Sequence, residues 1–101
     1  AHITGGGITE NLPRILPPGT AARIDKAAWT PNAVFRYLQR VGSVPEDDMY
    51  RTFNMGIGLI VGCAADDAER VTVMLQAAGE TRVHRIGRIV EGEPGVVYGS
   101  L

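Results

Sequence analysis

Three consecutive glycines, Gly5, Gly6 and Gly7 (the glycine loop), follow a short apolar segment and precede a segment with helical spacing. Glycines let a ligand approach the backbone, and a helix start supplies unpaired N–H groups and a positive dipole end. Thr4 adds a hydroxyl group, and His2 shares its face of the predicted strand. The pattern is compatible with phosphate binding. Taken alone it favours a plain tight turn, because glycine runs are common and the nucleotide-binding fingerprint is incomplete.

A second candidate is the segment of residues 53–58, where a predicted helix ends and a predicted strand begins. Asn54 is a residue type that adopts turn and left-handed conformations, and Gly56 and Gly58 permit close approach of another group to the backbone. A ligand-facing loop and a simple helix-to-strand turn are equally compatible with this sequence.

Few side chains suggest proton transfer or metal binding. His2 is the candidate for acid–base catalysis, although a histidine in a short strand is more often a hydrogen-bonded structural residue. Arg14, one turn into the first predicted helix, could reach an anion or lie in solvent. The single cysteine, Cys63, lies in an apolar run that favours a buried thiol. The sequence shows no zinc spacing and no Ser/His/Asp set, so we predict no metal site.

Short strands alternate with helices along the chain. The strands are predicted at residues 1–4, 21–25, 57–63, 82–91 and 95–99, and 57–63 is predicted to be a buried central strand. The helices are predicted at residues 8–16, 30–41, from 45 onwards and 66–78. This order predicts one α+β (α/β layered) domain with helices packed on a mixed β-sheet, and its last section has partial ferredoxin-like similarity.

Several local signals support these predicted elements. Thr30 before Pro31 is typical of a helix start, with a hydroxyl cap and proline at the first helical position. Asp66 and Glu69 form a variant of the capping box. Trp29 and Phe35, two large aromatic residues, are predicted to anchor the core.

The composition excludes several classes of function. A net charge of −1 and a pI near 6.1 argue against nucleic acid as a partner, which requires a basic surface. No apolar stretch approaches the ~20 residues that cross a bilayer, and no signal peptide is visible, so we expect a cytoplasmic protein without membrane partners. The chain starts within a strand-like segment and without methionine, which suggests a piece of a longer polypeptide.

Three motifs in order resemble the AIR synthetase (phosphoribosylformylglycinamidine cyclo-ligase) family. They are His-Ile-Thr-Gly-Gly-Gly at residues 2–7, Glu-Asn-Leu-Pro-Arg at 10–14 and Met-Tyr-Arg-Thr-Phe-Asn-Met-Gly-Ile-Gly at 49–58. Ile-Gly-Arg-Ile at 86–89 also fits the closing strands of that family. Each motif alone is modest, but together they span nearly the whole chain and are quite specific. The resemblance implies that residues 1–101 are the latter part of an AIR synthetase-type C-terminal domain.

The resemblance also implies a function. In this family ATP and Mg²⁺ serve to activate the amide oxygen of formylglycinamidine ribonucleotide; an internal nitrogen then attacks and closes the imidazole ring, releasing ADP and phosphate. The N-terminal half, absent from this chain, supplies most of the ATP site and pairs with a second subunit. Phosphate or substrate binding is accordingly expected at Thr4, the glycine loop, Asn54 and Gly56. We expect this chain alone to be inactive. A stand-alone α/β module that binds a phosphate ligand or regulates another protein is the alternative.

Overall fold

A computed structural model describes residues 1–99. The helices are α1 (Gly7–Asn11), α2 (Ala33–Gly42), α3 (Glu46–Thr52) and α4 (Ala68–Ala77). The strands are β1 (Thr20–Ile24), β2 (Gly87–Glu91) and β3 (Val96–Tyr98). Short 3₁₀ turns occupy Leu12–Ile15, Lys26–Ala28 and Ala65–Asp67.

The strands form a mixed sheet in the order β2-β1-β3. β1 pairs antiparallel with β2, with Ala22 opposite Ile89, and parallel with β3, with Ala22 opposite Val96. Small residues at the centre of β1 suit this position, because Ala21 and Ala22 are both buried where the helical layer approaches the sheet. Helices packed on a mixed sheet confirm the α+β class predicted from the sequence.

One hydrophobic core joins the sheet to α1 and α3. Its buried members are Ile3, Ile8, Leu12, Ala22, Ile24, Trp29, Met49, Tyr50, Met55 and Ile57. Trp29 is 6% exposed, which confirms it as a core anchor, whereas Phe35 is half-buried and packs against the edge of the core. The core therefore holds α1 against α3, and these two helices carry the two candidate loops at their ends.

The prediction of a buried central strand at residues 57–63 is wrong. Ile57 is buried, but Leu59 is 67% exposed, Val61 is 51% exposed and Cys63, predicted to be a buried thiol, is exposed as well. This segment pairs with the start of the chain through a single antiparallel bridge between His2 and Leu59. The predicted strand at residues 1–4 is likewise reduced to that bridge. An apolar run becomes a regular strand only where a neighbour continues the ladder, and one bridge does not continue it.

Four other predicted elements have different limits in the structure. Helix α2 begins at Ala33 with Asn32 in the N-cap position, two residues after the Thr30 cap that the sequence predicted. The predicted helix at 8–16 changes from α to 3₁₀ at Leu12, since Pro13 has no N–H to continue the α-helical bonds.

The other two elements begin later along the chain than the sequence predicted. A 3₁₀ turn precedes α4, so Asp67 stands in the N-cap position that the sequence assigned to Asp66, and its side chain makes no capping bond within the described residues. The strand predicted at 82–91 is shorter and begins at Gly87.

Candidate functional site

The glycine loop and the segment that follows α3 lie side by side. Between them is a shallow cleft of about 360 Å³, lined by Ile3, Thr4, Gly5, Phe35, Thr52, Phe53 and Asn54. Two of the sequence-predicted groups, Thr4 with Gly5 and Asn54, therefore meet in one place although about fifty residues separate them along the chain. The cleft combines a hydroxyl group, an amide side chain and glycine backbone with two phenylalanine rings.

The three glycines have different roles in this geometry. Gly6 and Gly7 have φ values of 97° and 64°, the left-handed region that favours glycine. A Cβ atom on Gly7 would clash with the carbonyl oxygens of Tyr50 and Phe53, so Gly7 is required for the close packing of α1 on α3. A Cβ atom on Gly5 would meet no described atom within 4 Å. Gly5 is thus the member of the loop that leaves open space.

The backbone N–H groups of the loop are also used differently. Gly7 donates a 3.0 Å hydrogen bond to the carbonyl oxygen of Thr4, and Gly6 donates a 3.4 Å bond to that of Thr52. These contacts satisfy two of the three glycine N–H groups inside the protein. The loop therefore largely forms the tight turn that the sequence alone favoured. Gly5 and Thr4 are the members of this loop that line the cleft.

Asn11 stabilises this loop through its side chain but does not line the cleft, and it was not predicted from the sequence as a site residue. Its side chain is buried, with 4% of the residue exposed. Nδ2 donates to the carbonyl oxygens of Thr4 at 3.3 Å, Gly5 at 3.2 Å and Gly7 at 2.9 Å. Oδ1 accepts from the hydroxyl of Thr4 at 3.3 Å and from Nη1 of Arg14 at 3.1 Å. Arg14, one of the candidate anion-binding residues, is therefore tied to the loop.

Asn54 stabilises its own turn. Its Oδ1 accepts a 2.8 Å hydrogen bond from the backbone N–H of Gly56, and its carbonyl oxygen accepts one of 3.0 Å from Ile57. Gly56 has a φ of 91°, and a Cβ atom there would lie 2.7 Å from Oδ1 of Asn32. Asn54 thus borders the cleft, whereas Gly56 lies behind it and shapes the turn.

His2 lies apart from the cleft. It is exposed and pairs with Leu59, while the next residue, Ile3, is buried and lines the cleft. The residues that line the cleft include no histidine, cysteine or carboxylate, so this surface can bind and orient a ligand but offers no side chain for proton transfer near neutral pH. A catalytic role of His2 stays a prediction.

A cationic and aromatic cluster lies on the side of α1 and α3 that faces the sheet. The Nζ atom of Lys26 lies 4.4 Å from the ring centroid of Tyr50 and 5.0 Å from that of Tyr98, and 3.3 Å from a carboxylate oxygen of Glu46. The Tyr98 hydroxyl shares a 2.8 Å hydrogen bond with the hydroxyl of Thr9, which donates to the carbonyl oxygen of Tyr50 at 3.1 Å. These contacts fasten α1 to the sheet.

Burial changes the acidity of both rings in this cluster. It raises the pKa of Tyr50 above its usual 10.0, and the negative charge of Glu46 and the neighbouring Tyr98 add to the increase. Burial also raises the pKa of Tyr98, and the hydrogen bond between its hydroxyl and that of Thr9 acts in the opposite direction. Both phenols are therefore neutral at physiological pH and act in packing and hydrogen bonding.

The remaining features carry no further chemistry of their own. A hollow of about 580 Å³ beside Trp29 includes Arg82 and His84 in its lining, so His84 lies at the surface. Within residues 1–99, no group of three or more His, Cys, Asp or Glu side chains is placed to hold a metal ion. Over the same residues, no helix has the length and apolar character to cross a membrane.

The fold and the cleft together define a small α+β domain whose glycine loop and adjoining turn form a cleft with both polar and apolar lining. A family model described as "AIR synthase related protein, C-terminal domain" matches residues 1–100. The chain belongs to this family, which confirms the resemblance carried by its sequence motifs.

Curated relatives are close in sequence but much longer. A phosphoribosylformylglycinamidine cyclo-ligase of Chromobacterium violaceum is 54% identical over 95 residues, which cover 94% of this chain and 27% of that relative. A protein of the same name from Neisseria gonorrhoeae is 54% identical over 91 residues, covering 90% of this chain and 26% of the relative. The chain thus spans about a quarter of the length of the curated relatives it matches.

Proposed function

We propose that this chain is part of an ATP-dependent cyclo-ligase that converts formylglycinamidine ribonucleotide to aminoimidazole ribonucleotide in purine biosynthesis. The observation that carries the proposal is the 54% identity, over nearly the whole chain, with proteins named phosphoribosylformylglycinamidine cyclo-ligase. The matched region covers 94% of the chain.

The proposal assigns the energy-supplying chemistry to other parts of the longer enzyme. The described residues have no cluster of carboxylates that fits Mg²⁺, which prefers oxygen ligands. ATP and Mg²⁺ are accordingly proposed to bind mainly outside this chain, and the chain alone is proposed to be inactive. The intact enzyme is proposed to be a cytoplasmic homodimer that acts on small nucleotides.

The part of this chain in the reaction is to bind and orient a phosphate group of the ligand. Thr4 and Gly5 line the cleft, Gly5 has open space above its Cα atom, and Asn54 borders the opposite side. Arg14 supplies a positive charge next to the loop through its bond to Asn11. Hydroxyl and backbone N–H donors with a nearby guanidinium are the groups that phosphate oxygens accept from. Gly6, Gly7 and Gly56 contribute by shaping the backbone of the two loops.

The test is a pair of glycine substitutions in a full-length cyclo-ligase that contains this chain. Gly5→Val fills the open space in the cleft, and Gly58→Val is the matched control, because neither position has a described atom within 4 Å of an added Cβ and neither has a positive φ. Gly5→Val should raise the KM for formylglycinamidine ribonucleotide or for ATP by about tenfold or more, as expected when one bond to a charged group is lost. Gly58→Val should change neither KM.

Two results would contradict the proposal. A correctly folded Gly5→Val enzyme with an unchanged KM for both substrates would make the loop a structural turn without a ligand. Formation of aminoimidazole ribonucleotide by the purified 101-residue chain would show that the missing portion is not needed.

A further inference from the structure

We propose that Asn11 is the positioning residue of the ligand cleft, and that it acts by holding the carbonyl group of Thr4 inwards so that the N–H group of Gly5 faces the ligand. This inference rests on the proposed function, in which the loop binds a phosphate group. It concerns a side chain that lies behind the cleft and does not line it.

The hydrogen bonds of Asn11 are concentrated on one short stretch of backbone. Its Nδ2 group lies 2.9–3.3 Å from the carbonyl oxygens of Thr4, Gly5 and Gly7. A primary amide has two hydrogens, so three acceptors share two donors, and each carbonyl is drawn towards the same point. A buried amide without partners would be unfavourable, and here the loop provides all the partners of Nδ2.

The geometry of the peptide bond fixes the direction of the N–H group that follows each carbonyl group. In a trans peptide the C=O of one residue and the N–H of the next point in opposite directions. Fixing the Thr4 carbonyl towards Asn11 therefore directs the N–H of Gly5 away from Asn11. Gly5 lines the cleft.

The oxygen atom of the Asn11 amide bonds two further side chains, one of which is positively charged. Oδ1 accepts from both the Thr4 hydroxyl, at 3.3 Å, and Nη1 of Arg14, at 3.1 Å. One oxygen thus places a hydroxyl group that lines the cleft next to a guanidinium group. Substitution separates the two functions: aspartate retains the acceptor and loses the donors, and leucine loses both.

The decisive variant is Asn11→Asp in the full-length enzyme, which keeps the shape and the acceptor for Arg14 but replaces the three inward bonds with repulsion between a carboxylate and three carbonyl oxygens. We expect the KM for formylglycinamidine ribonucleotide or for ATP, whichever Gly5→Val raises, to rise by about tenfold or more, with a smaller change in kcat, because ground-state positioning is lost. Ile24→Val is the control: it removes a methylene from the buried core away from the cleft, so it should lower the Tm without moving KM.

The outcomes separate this inference from the proposed function. If Gly5→Val has no effect, the cleft does not bind substrate and the proposed role of the loop fails. If Gly5→Val impairs binding while a folded Asn11→Asp enzyme keeps a normal KM, ligand binding in the cleft is supported and the role of Asn11 is refuted. A KM shift in Ile24→Val as large as that in Asn11→Asp would also refute it, since general destabilisation would explain both.

A second measurement covers the case in which Asn11→Asp does not fold. In the unchanged full-length enzyme, NMR of the Asn11 side-chain amide should show protection from hydrogen exchange both with and without formylglycinamidine ribonucleotide, while the backbone amide of Gly5 shifts on binding. The inference would be overturned if the side-chain amide of Asn11 exchanges freely, or if it loses its protection from exchange when the ribonucleotide binds.

Discussion

The indole Nε1–H of Trp29 donates a 3.0 Å hydrogen bond to the carbonyl oxygen of Met55. Met55 is buried and has a φ of 54°, an uncommon conformation for a residue with a side chain. The bond connects the middle of the core to the turn that carries Asn54, one residue earlier. The wall of the cleft is therefore held by a core aromatic residue on a separate part of the chain.

Replacing Trp29 with phenylalanine should destabilise the domain by about 1–3 kcal/mol, because the carbonyl oxygen of Met55 would be left buried without its donor. Some packing would also be lost with the smaller ring. Urea denaturation of the chain measures the change through the midpoint. Tyr37→Phe is the control, since Tyr37 is 55% exposed and its change should be near neutral. Equal midpoints for Trp29→Phe and the unchanged chain would refute the role of this bond.

Local sequence signals indicate Thr4, Gly5 and Asn54 one by one, since each lies at a junction between elements, but they do not show that two junctions about fifty residues apart meet in one cleft. Asn11 was not predicted as a site residue, because the motif at residues 10–14 that contains it indicated only the family resemblance. A signal was nevertheless present: Asn11 lies three residues after Ile8 and directly before Leu12, on the stripe of the helix that faces the core. A polar residue on such a stripe must find buried partners, and the nearby glycine loop supplies them.

The error at residues 57–63 has a different origin. Periodicity describes which residues are apolar, but a strand also needs a neighbour to bond with, and the sequence does not identify that neighbour. In the structure the segment meets residues 1–3 through bonds from Ile3 to Gly58 and from Ile60 to Ala1, both 2.9 Å long. The bonding stops there, which leaves Leu59 and Val61 exposed.

The packing of α1 on α3 predicts that substitutions at two glycines of the same loop will have very different effects on stability. Gly7→Ala should destabilise the chain by about 1–2 kcal/mol for the left-handed backbone alone, with a further loss from the clash with the carbonyl oxygens of Tyr50 and Phe53. Gly5→Ala should be tolerated, because its Cβ would meet no described atom within 4 Å. Thermal unfolding of the two variants gives the comparison, and similar Tm values would contradict the packing role of Gly7.

Lys26 should contribute to stability through two aromatic rings as much as through its ion pair. Lys26→Met keeps most of the aliphatic stem and removes the charge that faces Tyr50, Tyr98 and Glu46. We expect a loss of about 1 kcal/mol, since each cation–π contact contributes roughly 0.5–1 kcal/mol and an exposed ion pair contributes little. Glu46→Gln isolates the ion pair, and a loss as large as that of Lys26→Met would show that the rings contribute nothing.

Tyr50, which is buried, and Tyr98, which is half-buried, predict a loss of stability at alkaline pH. The pKa of Tyr50 and that of Tyr98 are both higher in the folded chain than the usual 10.0. Above pH 10.0 the unfolded chain therefore releases protons that the folded chain still holds, so the free energy of unfolding falls as pH rises, until the folded pKa values are passed. Below pH 10.0 both states hold these protons, and the two groups make no contribution to pH dependence.

Tyr98→Phe tests this linkage, because it keeps the aromatic ring and removes one titrating group. The variant loses the hydrogen bond with Thr9 and should be less stable by about 0.5–1.5 kcal/mol near neutral pH. Its stability should nevertheless decline less steeply above pH 10.0 than that of the unchanged chain, so the two denaturation curves converge. Parallel declines for Tyr98→Phe and the unchanged chain would mean that ionisation of Tyr98 is not coupled to unfolding, and that the Lys26 cluster responds to alkali through another group.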